Sequence, residues 1–291
     1  MNQPTLNPES GFVRAKITLA YDGTNFYGWG KQLDRRTVQG EIESVLSTLY
    51  RREIETVVAG RTDAGVHASG QVIHVDLPIG GQSDFGFEFE DLGYRLNRIL
   101  TDEIRIKEVI RAPLNFHARF GALRRHYLYK IQDGSGLIEP VKRLDITPWY
   151  RQLDLEKMNS AASQLIGEHD FFSYAKYREH ATTIRKLERF DFSREADGVI
   201  ISHISADAFC YNMVRALIGT LVYIGEGRFP ITWAKEILEK RERPSDSVVF
   251  PARGLTFIGV DYPQDSLLAD RANQALGIRD AAGNLEDDGE N

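Results

Sequence analysis

The stretch of the 291-residue sequence that carries most information is Ala59-Gly60-Arg61-Thr62-Asp63-Ala64-Gly65-Val66-His67-Ala68. Its two glycines, with Arg61, Thr62 and Asp63 between them, predict a tight loop between two strands. In most proteins an Asp-x-Gly element is a plain turn, in which the aspartate accepts backbone N–H groups and the glycine takes a positive φ. Here Arg61 lies two positions before Asp63, where a cation favours the ionised carboxylate and can steer a polyanion. A buried, ionised carboxylate is a usable nucleophile, so a catalytic role for Asp63 stands beside the plain-turn interpretation.

The segments on both sides of this loop alternate between strand and helix patterns. Patterns of period two predict strands, and apolar positions spaced by 3.6 residues predict helices. The strands are expected at residues 14–21, 71–77, 104–110, 125–132, 187–193, 199–206 and 255–262, and the helices at 37–52, 92–100, 154–167, 211–224 and 233–241. Strands and two helices in each half predict an α+β protein of two similar lobes.

The division into domains follows from the same patterns. We expect a flexible N-terminus at residues 1–12, an N-terminal catalytic lobe at 13–117 and a C-terminal lobe at 118–263. Residues 264–291 carry few large apolar side chains and many acids, which predicts a flexible tail with at most a short helix near residues 267–276.

Composition is that of an ordinary soluble globular protein, with 42% hydrophobic and 27% charged residues. The single cysteine, Cys210, excludes an intramolecular disulfide and a cysteine-cluster metal site, and is typical of a reducing compartment. Residues 1–10 lack the apolar core of a signal peptide, and the apolar stretch at 213–224 is interrupted by Arg215 and too short to span a bilayer. We therefore expect a cytoplasmic protein without membrane contacts.

Net charge does not exclude a polyanionic partner. Residues 264–291 contain seven acidic and two basic residues and carry −5 of the formal −6, so residues 1–263 are close to neutral at −1. Basic residues cluster in both halves of this near-neutral body and could form a groove for RNA phosphates. The clusters are Arg35-Arg36, Arg51-Arg52, Arg119 with Arg124-Arg125, Lys142-Arg143, Lys176-Tyr177-Arg178, Arg185-Lys186 and Lys240-Arg241.

The loop around Asp63 resembles the catalytic motif of the TruA family of tRNA pseudouridine synthases. Further motifs of that family follow in the same order over residues 13–263. They are Tyr21-Asp22-Gly23-Thr24, Tyr27-Gly28-Trp29, Thr37-Val38-Gln39, Gly70-Gln71-Val72 with His74, Leu96-Asn97, Phe116-His117-Ala118-Arg119-Phe120, Arg125-x-Tyr127-x-Tyr129, Gly167-Glu168-His169-Asp170-Phe171, Met213-Val214-Arg215, Gly219-Thr220-Leu221 and Pro251-Ala252-x-Gly254-Leu255. The sequence departs from the usual family pattern at Gly30, Thr101, Asn212 and Ala216.

The resemblance implies roles for five residues. Asp63 matches the catalytic aspartate and Arg61 the loop arginine. Tyr127 matches the tyrosine that packs on the target base, Arg215 the basic residue that pairs with the catalytic carboxylate, and Leu255 an apolar wall of the pocket. It also implies a largely antiparallel sheet flanked by helices, with the active-site cleft between the lobes.

The activity implied by the resemblance is isomerisation of uridine to pseudouridine at positions 38, 39 and 40 of the tRNA anticodon stem-loop. The enzyme would be a homodimer that uses no cofactor and no metal. Two alternatives stay open from the residues alone. One is a non-catalytic RNA-binding or RNA-folding protein on the same scaffold, and the other is a metal-dependent hydrolase using Asp63, His67 and His74.

Overall fold

A computed structural model describes residues 11–78, 89–135, 137–176, 182–242 and 248–281, without the side chains of residues 277–281. The chain forms two compact units. The first contains Met1–Leu123 and Ile258–Asn291, and the second contains Arg124–Phe257. In the described ranges no helix is both long and apolar enough to cross a membrane.

The first unit contains long antiparallel strands with helices beside them. Its elements are β1 (Phe12–Tyr21), α1 (Val38–Tyr50), β2 (Val57–Val58), β3 (His67–Pro78), α2 (Leu92–Ile99) and β4 (Ile104–Arg111), with a short 3-10 helix at Phe89–Asp91 immediately before α2. Strand β1 lies between β4 and β3, and the short β2 pairs with β3; all three pairings are antiparallel. The pattern predicted for β1 is confirmed, because Ala15, Ile17, Leu19 and Tyr21 are all buried.

Helix α1 begins where the sequence predicts it. The Thr37 side chain accepts a hydrogen bond from the Gly40 N–H at 3.2 Å, which satisfies one of the donors that a helix N-terminus leaves open. The apolar face of the helix, which includes Val38, Ile42 and Leu46, is buried in this unit. The cap and the buried face together fix the position of the N-terminus of α1.

The second unit has the same kind of architecture. Its elements are β5 (Arg124–Gln132), β6 (Thr147–Pro148), α3 (Leu155–Ser163), β7 (Gly167–Asp170), β8 (Ile184–Arg194), β9 (Ile200–Ala206), α4 (Met213–Gly225) and α5 (Trp233–Lys240), with 3-10 helices at Pro140–Lys142, Phe172–Tyr174 and Ala252–Gly254. The strand order is β5–β9–β8–β7, with antiparallel pairings throughout, and β6 is parallel to β5. The strands predicted at residues 187–193 and 199–206 are confirmed as β8 and β9, which pair antiparallel.

The last elements are β10 (Leu255–Asp261), a 3-10 helix at Asp265–Leu267 and helix α6 (Leu268–Ala281). The boundary between the two units falls inside β10. The predicted α+β class, a large and mostly antiparallel sheet flanked by helices, is confirmed.

Three local predictions differ from the structure. Helix α3 ends at Ser163 rather than continuing to Gly167, and the next residues form strand β7, which the sequence patterns did not predict. Helix α6 is longer than the short helix expected after Pro263. Its first turns pack against the first unit, since Leu268 is buried and the Arg271 guanidinium donates to the Ala122 carbonyl oxygen at 3.1–3.2 Å.

Candidate active site

The loop that carries Asp63 connects β2 to β3 in the first unit, as the sequence predicts. It turns sharply at Gly65, which has φ +78°, and the Val66 N–H closes the turn on the Asp63 carbonyl oxygen at 3.1 Å. The Asp63 side chain is half-buried, Thr62 is buried and Arg61 is exposed. Only the side chains at the tip of the loop therefore face solvent.

The chain between β1 and α1 supports this loop through backbone contacts. The Trp29 N–H donates to the Thr62 carbonyl oxygen at 3.0 Å, and the Gly65 N–H donates to the Phe26 carbonyl oxygen at 3.3 Å. The same Thr62 oxygen would lie 2.8 Å from a Cβ at Gly28, where φ is +92°. Glycine is needed there both for its conformation and for the close approach.

A second glycine allows an even closer approach at the other end of the loop. A Cβ at Gly23 would lie 2.0 Å from the carbonyl oxygen of Val66. Because Gly23 and Gly28 have no side chains, the segment Tyr21–Gly30 can pack directly against the backbone of the Asp63 loop at both ends of that loop.

A buried polar network holds the loop from inside. The hydroxyls of Tyr21 and Thr62 are 2.7 Å apart, and the Gln71 amide donates to the Gly60 carbonyl oxygen at 2.8 Å and to the Tyr21 hydroxyl at 3.4 Å. Burial raises the pKa of Tyr21 to about 12, so its hydroxyl keeps its proton. Sequence reasoning assigned no role to Tyr21, Thr62 or Gln71, although all three lie within the quoted motifs.

The two histidines of the metal-hydrolase alternative are engaged with the backbone. His67 Nδ1 accepts the Gly23 N–H at 3.1 Å, and His74 Nδ1 accepts the Ala118 N–H at 3.0 Å. Both side chains are buried. Over the ranges given above, no group of three or more His, Cys, Asp or Glu side chains could hold a metal ion. These contacts give both histidines structural roles.

Tyr127 lies on β5 in the second unit, in an aromatic environment. The ring is nearly buried and meets the rings of Phe209 and Phe257 edge-on, with centroids 5.2 Å apart in each case. Tyr129 lies two residues further on and therefore points to the same face of the strand. Its hydroxyl contacts the Thr147 hydroxyl at 2.8 Å and donates to the Pro251 carbonyl oxygen at 2.7 Å.

Arg215 lies in the first turn of α4 and is half-buried. Its Nε donates to the Phe250 carbonyl oxygen at 2.6 Å, and the Phe250 N–H donates to the Arg215 carbonyl oxygen at 3.0 Å. Leu255 is buried at the start of β10. The segment from Phe250 to Phe257 therefore contacts both Arg215 and Tyr127 and carries Leu255.

The five predicted site residues thus form two groups. Arg61 and Asp63 lie on one loop of the first unit, and Tyr127, Arg215 and Leu255 lie in the second unit.

Several predicted basic residues are engaged in ion pairs within their own units. Arg36 pairs with Glu41 and Glu103, Arg124 with Glu188, and Lys142 with Asp197. Tyr177 and Arg178 lie outside the described residues. Within the described ranges, Arg35 and Arg52 instead have their guanidinium groups over aromatic rings, those of Tyr27 and Phe12.

Comparison with known proteins gives a consistent result over most of the chain. The sequence model of the family described as tRNA pseudouridine synthase matches residues 17–121 and 161–263. The chain is 47% identical to the tRNA pseudouridine synthase A of Streptomyces griseus, over 94% of this chain and 97% of that protein. The proteins of the same name from Mycobacterium leprae and Corynebacterium glutamicum are 45% and 43% identical, over 89% and 96% of this chain and 93% and 100% of theirs. The chain belongs to the tRNA pseudouridine synthase family.

Proposed function

We propose that this protein is an isomerase that converts uridine to pseudouridine at positions 38, 39 and 40 of the tRNA anticodon stem-loop, with Asp63 as the nucleophile. Membership of the family supports the reaction. The observation that carries the assignment of Asp63 is the construction of its loop, which two glycine contacts and a buried network hold while the carboxylate stays partly open to solvent. A loop built in this way is preorganised to present one carboxylate.

The reaction is an isomerisation, so every atom of the uridine is kept. The bond between ribose C1′ and uracil N1 breaks, the bond between C1′ and C5 forms, the proton leaves C5, and N1 gains a proton. No electron donor or acceptor is required. A carboxylate can start the reaction by attack or by removing a proton, and a closed pocket must keep the detached base in place.

The residues of the second unit supply the other requirements in this proposal. A carboxylate withdrawn from water takes up a proton unless a cation stabilises its charge, and Arg215 is assigned that role. Tyr127 offers an aromatic face to the uracil ring, and Leu255 offers an apolar surface beside it. Stacking on Tyr127 would offset part of the cost of extruding the target base, which is a few kcal/mol.

The first test is pseudouridine mapping on unmodified tRNA incubated with purified protein. Wild type should form pseudouridine in the anticodon arm, and Asp63→Asn should form none while its tRNA affinity and thermal stability stay close to wild type. Asp102→Asn is the matched control, because it removes the same charge from a fully exposed site on the same unit. No product from wild type, with tRNA binding intact, would overturn the proposal in favour of a non-catalytic RNA-binding protein.

The role of Arg215 is tested by the pH profile. If the guanidinium keeps Asp63 ionised, Arg215→Gln should raise the pKa of the working carboxylate, so that activity is low at pH 6 and recovers towards pH 9. An unchanged profile with an unchanged rate would remove Arg215 from the mechanism.

The proposal also includes a homodimer that holds one tRNA. Light scattering on the purified protein should give twice the chain mass of 33.0 kDa. If the protein has the mass of a monomer under the conditions in which it forms pseudouridine, the dimer is excluded as the active species.

A further inference from the structure

The turn from Lys31 to Arg35, between the Asp63-supporting segment and α1, exposes an apolar side chain at its tip. Leu33 has 93% of its surface in solvent, the largest fraction of any large apolar side chain in the described part of the chain. Asp34 beside it has φ +60°. The turn therefore presents an aliphatic side chain that makes little contact with its own protein. A single exposed leucine is ordinary on a protein surface, so its surroundings decide what it means.

An arginine and a tyrosine form a stacked pair on the same turn. The Arg35 guanidinium carbon lies 4.5 Å from the centroid of the Tyr27 ring, and the ring itself is 51% exposed. Guanidinium groups and aromatic rings are the two flat surfaces on which proteins stack unpaired RNA bases. Arg35 also carries a charge that can meet a phosphate.

The turn is held in place by backbone and amide hydrogen bonds. The Tyr27 N–H donates to the Arg36 carbonyl oxygen at 2.9 Å, and the Gln32 amide donates to the Tyr27 carbonyl oxygen at 3.0 Å. Gln32 also pairs with Arg35 in an antiparallel bridge. The backbone that carries Leu33 and Arg35 is thus held in place, so little conformational entropy is lost when a ligand contacts them.

This turn directly follows the segment Tyr21–Gly30, which packs against the Asp63 loop. The Trp29 N–H donates to the Thr62 carbonyl oxygen, and a Cβ at Gly30 would lie 3.9 Å from the Cδ of Arg61. The turn begins at the next residue, Lys31, whose side chain is 61% exposed and pairs with the buried Glu43 carboxylate at 3.6 Å. Basic side chains therefore extend from the candidate catalytic loop to the turn.

We propose that Tyr27, Leu33 and Arg35 form a binding site for an unpaired nucleotide of the RNA substrate, next to the uridine that reacts. The base stacks on the Arg35–Tyr27 pair, Leu33 packs against its edge or against the neighbouring base, and Arg35 neutralises the adjacent phosphate. The inference rests on the proposed function, since it takes the substrate to be tRNA. A double-stranded segment would not satisfy the site, because paired bases offer no free face.

The test measures binding of unmodified tRNA by fluorescence anisotropy and the single-turnover rate of pseudouridine formation. Leu33→Ala and Arg35→Gln should each weaken binding by about tenfold, the range expected when one stacking partner of an unpaired base is lost. Arg35→Lys should retain the salt dependence of binding, because it keeps the charge, and should still lose affinity, because it loses the flat surface.

Two matched controls lie elsewhere in the chain. Leu137→Ala makes the same truncation at a side chain that is 79% exposed, in the second unit. Arg98→Gln breaks another arginine–tyrosine pair, on α2, in which the guanidinium carbon lies 5.9 Å from the centroid of the exposed Tyr94 ring. Both controls should bind tRNA within about twofold of wild type, since a lone surface side chain contributes little.

Dependence on the base is tested with tRNAs that each carry one abasic nucleotide in the anticodon loop. For wild type, one of the abasic tRNAs should bind about tenfold less well than intact tRNA. For Arg35→Gln, that abasic tRNA and intact tRNA should bind equally well, because the variant has already lost the stacking. Additive losses at every abasic position would overturn the proposed base contact.

Failure of this inference is distinguishable from failure of the proposed function. If wild type forms pseudouridine while Leu33→Ala and Arg35→Gln bind and react like wild type, the nucleotide site is overturned and the function stands. If these variants instead change only the oligomeric mass, the turn is a protein contact and the inference is also overturned. If wild type forms no pseudouridine, the proposed function fails first.

Discussion

The hydroxyl oxygens of Tyr21 and Thr62 lie 2.7 Å apart inside the first unit, although 41 positions separate the two residues in the chain. Tyr21 is the last residue of β1, and Thr62 is the residue immediately before Asp63 in the candidate catalytic loop. The backbone of Thr62 is fixed as well, since its carbonyl oxygen accepts the Trp29 N–H. The direction of the Asp63 side chain therefore depends on how well its neighbour Thr62 is held.

Tyr21→Phe should lower kcat while leaving KM for tRNA nearly unchanged, because it loosens the loop without touching the RNA. The loss of one buried hydrogen bond should cost roughly 1 kcal/mol, or about fivefold in rate if it is expressed in the position of Asp63. Steady-state kinetics on tRNA, with chemical denaturation in parallel, measures both.

The matched control for this variant is Tyr174→Phe in the second unit. The Tyr174 hydroxyl is also buried and donates to the Ala234 carbonyl oxygen at 2.7 Å. Tyr174→Phe should lower the free energy of unfolding by a similar amount and keep the wild-type kcat. Equal kinetic effects of the two variants would contradict a positioning role for Tyr21.

Gly28→Ala should be among the most damaging single-methyl changes in the first unit. The new Cβ would stand 2.8 Å from the Thr62 carbonyl oxygen at φ +92°, so the backbone would have to move. We expect the free energy of unfolding to fall by more than about 2 kcal/mol in total. That loss exceeds the roughly 1–2 kcal/mol that a left-handed conformation costs alone.

Gly227→Ala separates those two contributions. Gly227 has φ +81°, and a Cβ there would meet nothing within 4 Å, so only the conformational cost applies. Denaturant melts of both variants should give the larger loss for Gly28→Ala. If the two losses are equal, close approach to the Asp63 loop is not what requires Gly28.

Arg14→Ala should destabilise the protein by about 2 kcal/mol or more, because it removes a buried guanidinium that pairs with the half-buried Asp76 and satisfies two carbonyl oxygens. Arg14 is 1% exposed and donates two hydrogen bonds to the Asp76 carboxylate at 2.7–2.8 Å and others to the Leu114 and Phe116 carbonyl oxygens. Urea denaturation measures the loss.

A surface ion pair provides the comparison for Arg14. Arg189 and Asp191 are about half exposed and pair at 2.5 Å. Arg189→Ala should change the free energy of unfolding by less than about 1 kcal/mol. A small effect at Arg14 as well would mean that its buried contacts add little to stability.

Stability should decrease below pH 6.5 through His117. Burial, with the nearby charges of Arg14 and Arg119, lowers the pKa of His117 from 6.5 to about 3. Between these values the unfolded chain binds a proton that the folded chain does not. The free energy of unfolding should therefore be fully retained above pH 6.5 and fall by roughly 1.4 kcal/mol per pH unit below it through this group.

His117→Asn tests this slope. Its side-chain oxygen can accept the Arg119 and Phe120 N–H groups that His117 Nδ1 accepts, and it does not titrate. Urea melts between pH 4 and pH 7 should give a shallower dependence than wild type. His74 keeps part of the slope, since burial first and then His117 and Arg14 also lower its pKa. An unchanged slope would show that His117 is not the group responsible.

Much of the fold could be predicted because its signals are local. Alternation of apolar residues identified β1, and the helices predicted at 37–52 and 154–167 begin at Thr37 and Asp154, whose side chains cap α1 and α3. Strand β7 was missed because it spans only Gly167–Asp170 and has no buried residue to create a pattern. The end of α3 was predicted four residues too late for a related reason, since the apolar spacing continues to Leu165 after the helix has ended.

By itself, the sequence determined the two kinds of secondary structure and the loop that presents Asp63, and its resemblance to a family supplied the candidate residues Arg61, Tyr127, Arg215 and Leu255. Each of these is encoded by residues that are neighbours in the chain or by a motif with fixed spacing. Only the tertiary structure decided that Tyr21 holds Thr62, that Gly28 lies against the Asp63 loop, and that Arg14 is buried while Leu33 is exposed. Those facts depend on which distant segments pack together, and burial and close contact are properties of that packing rather than of any local run of residues.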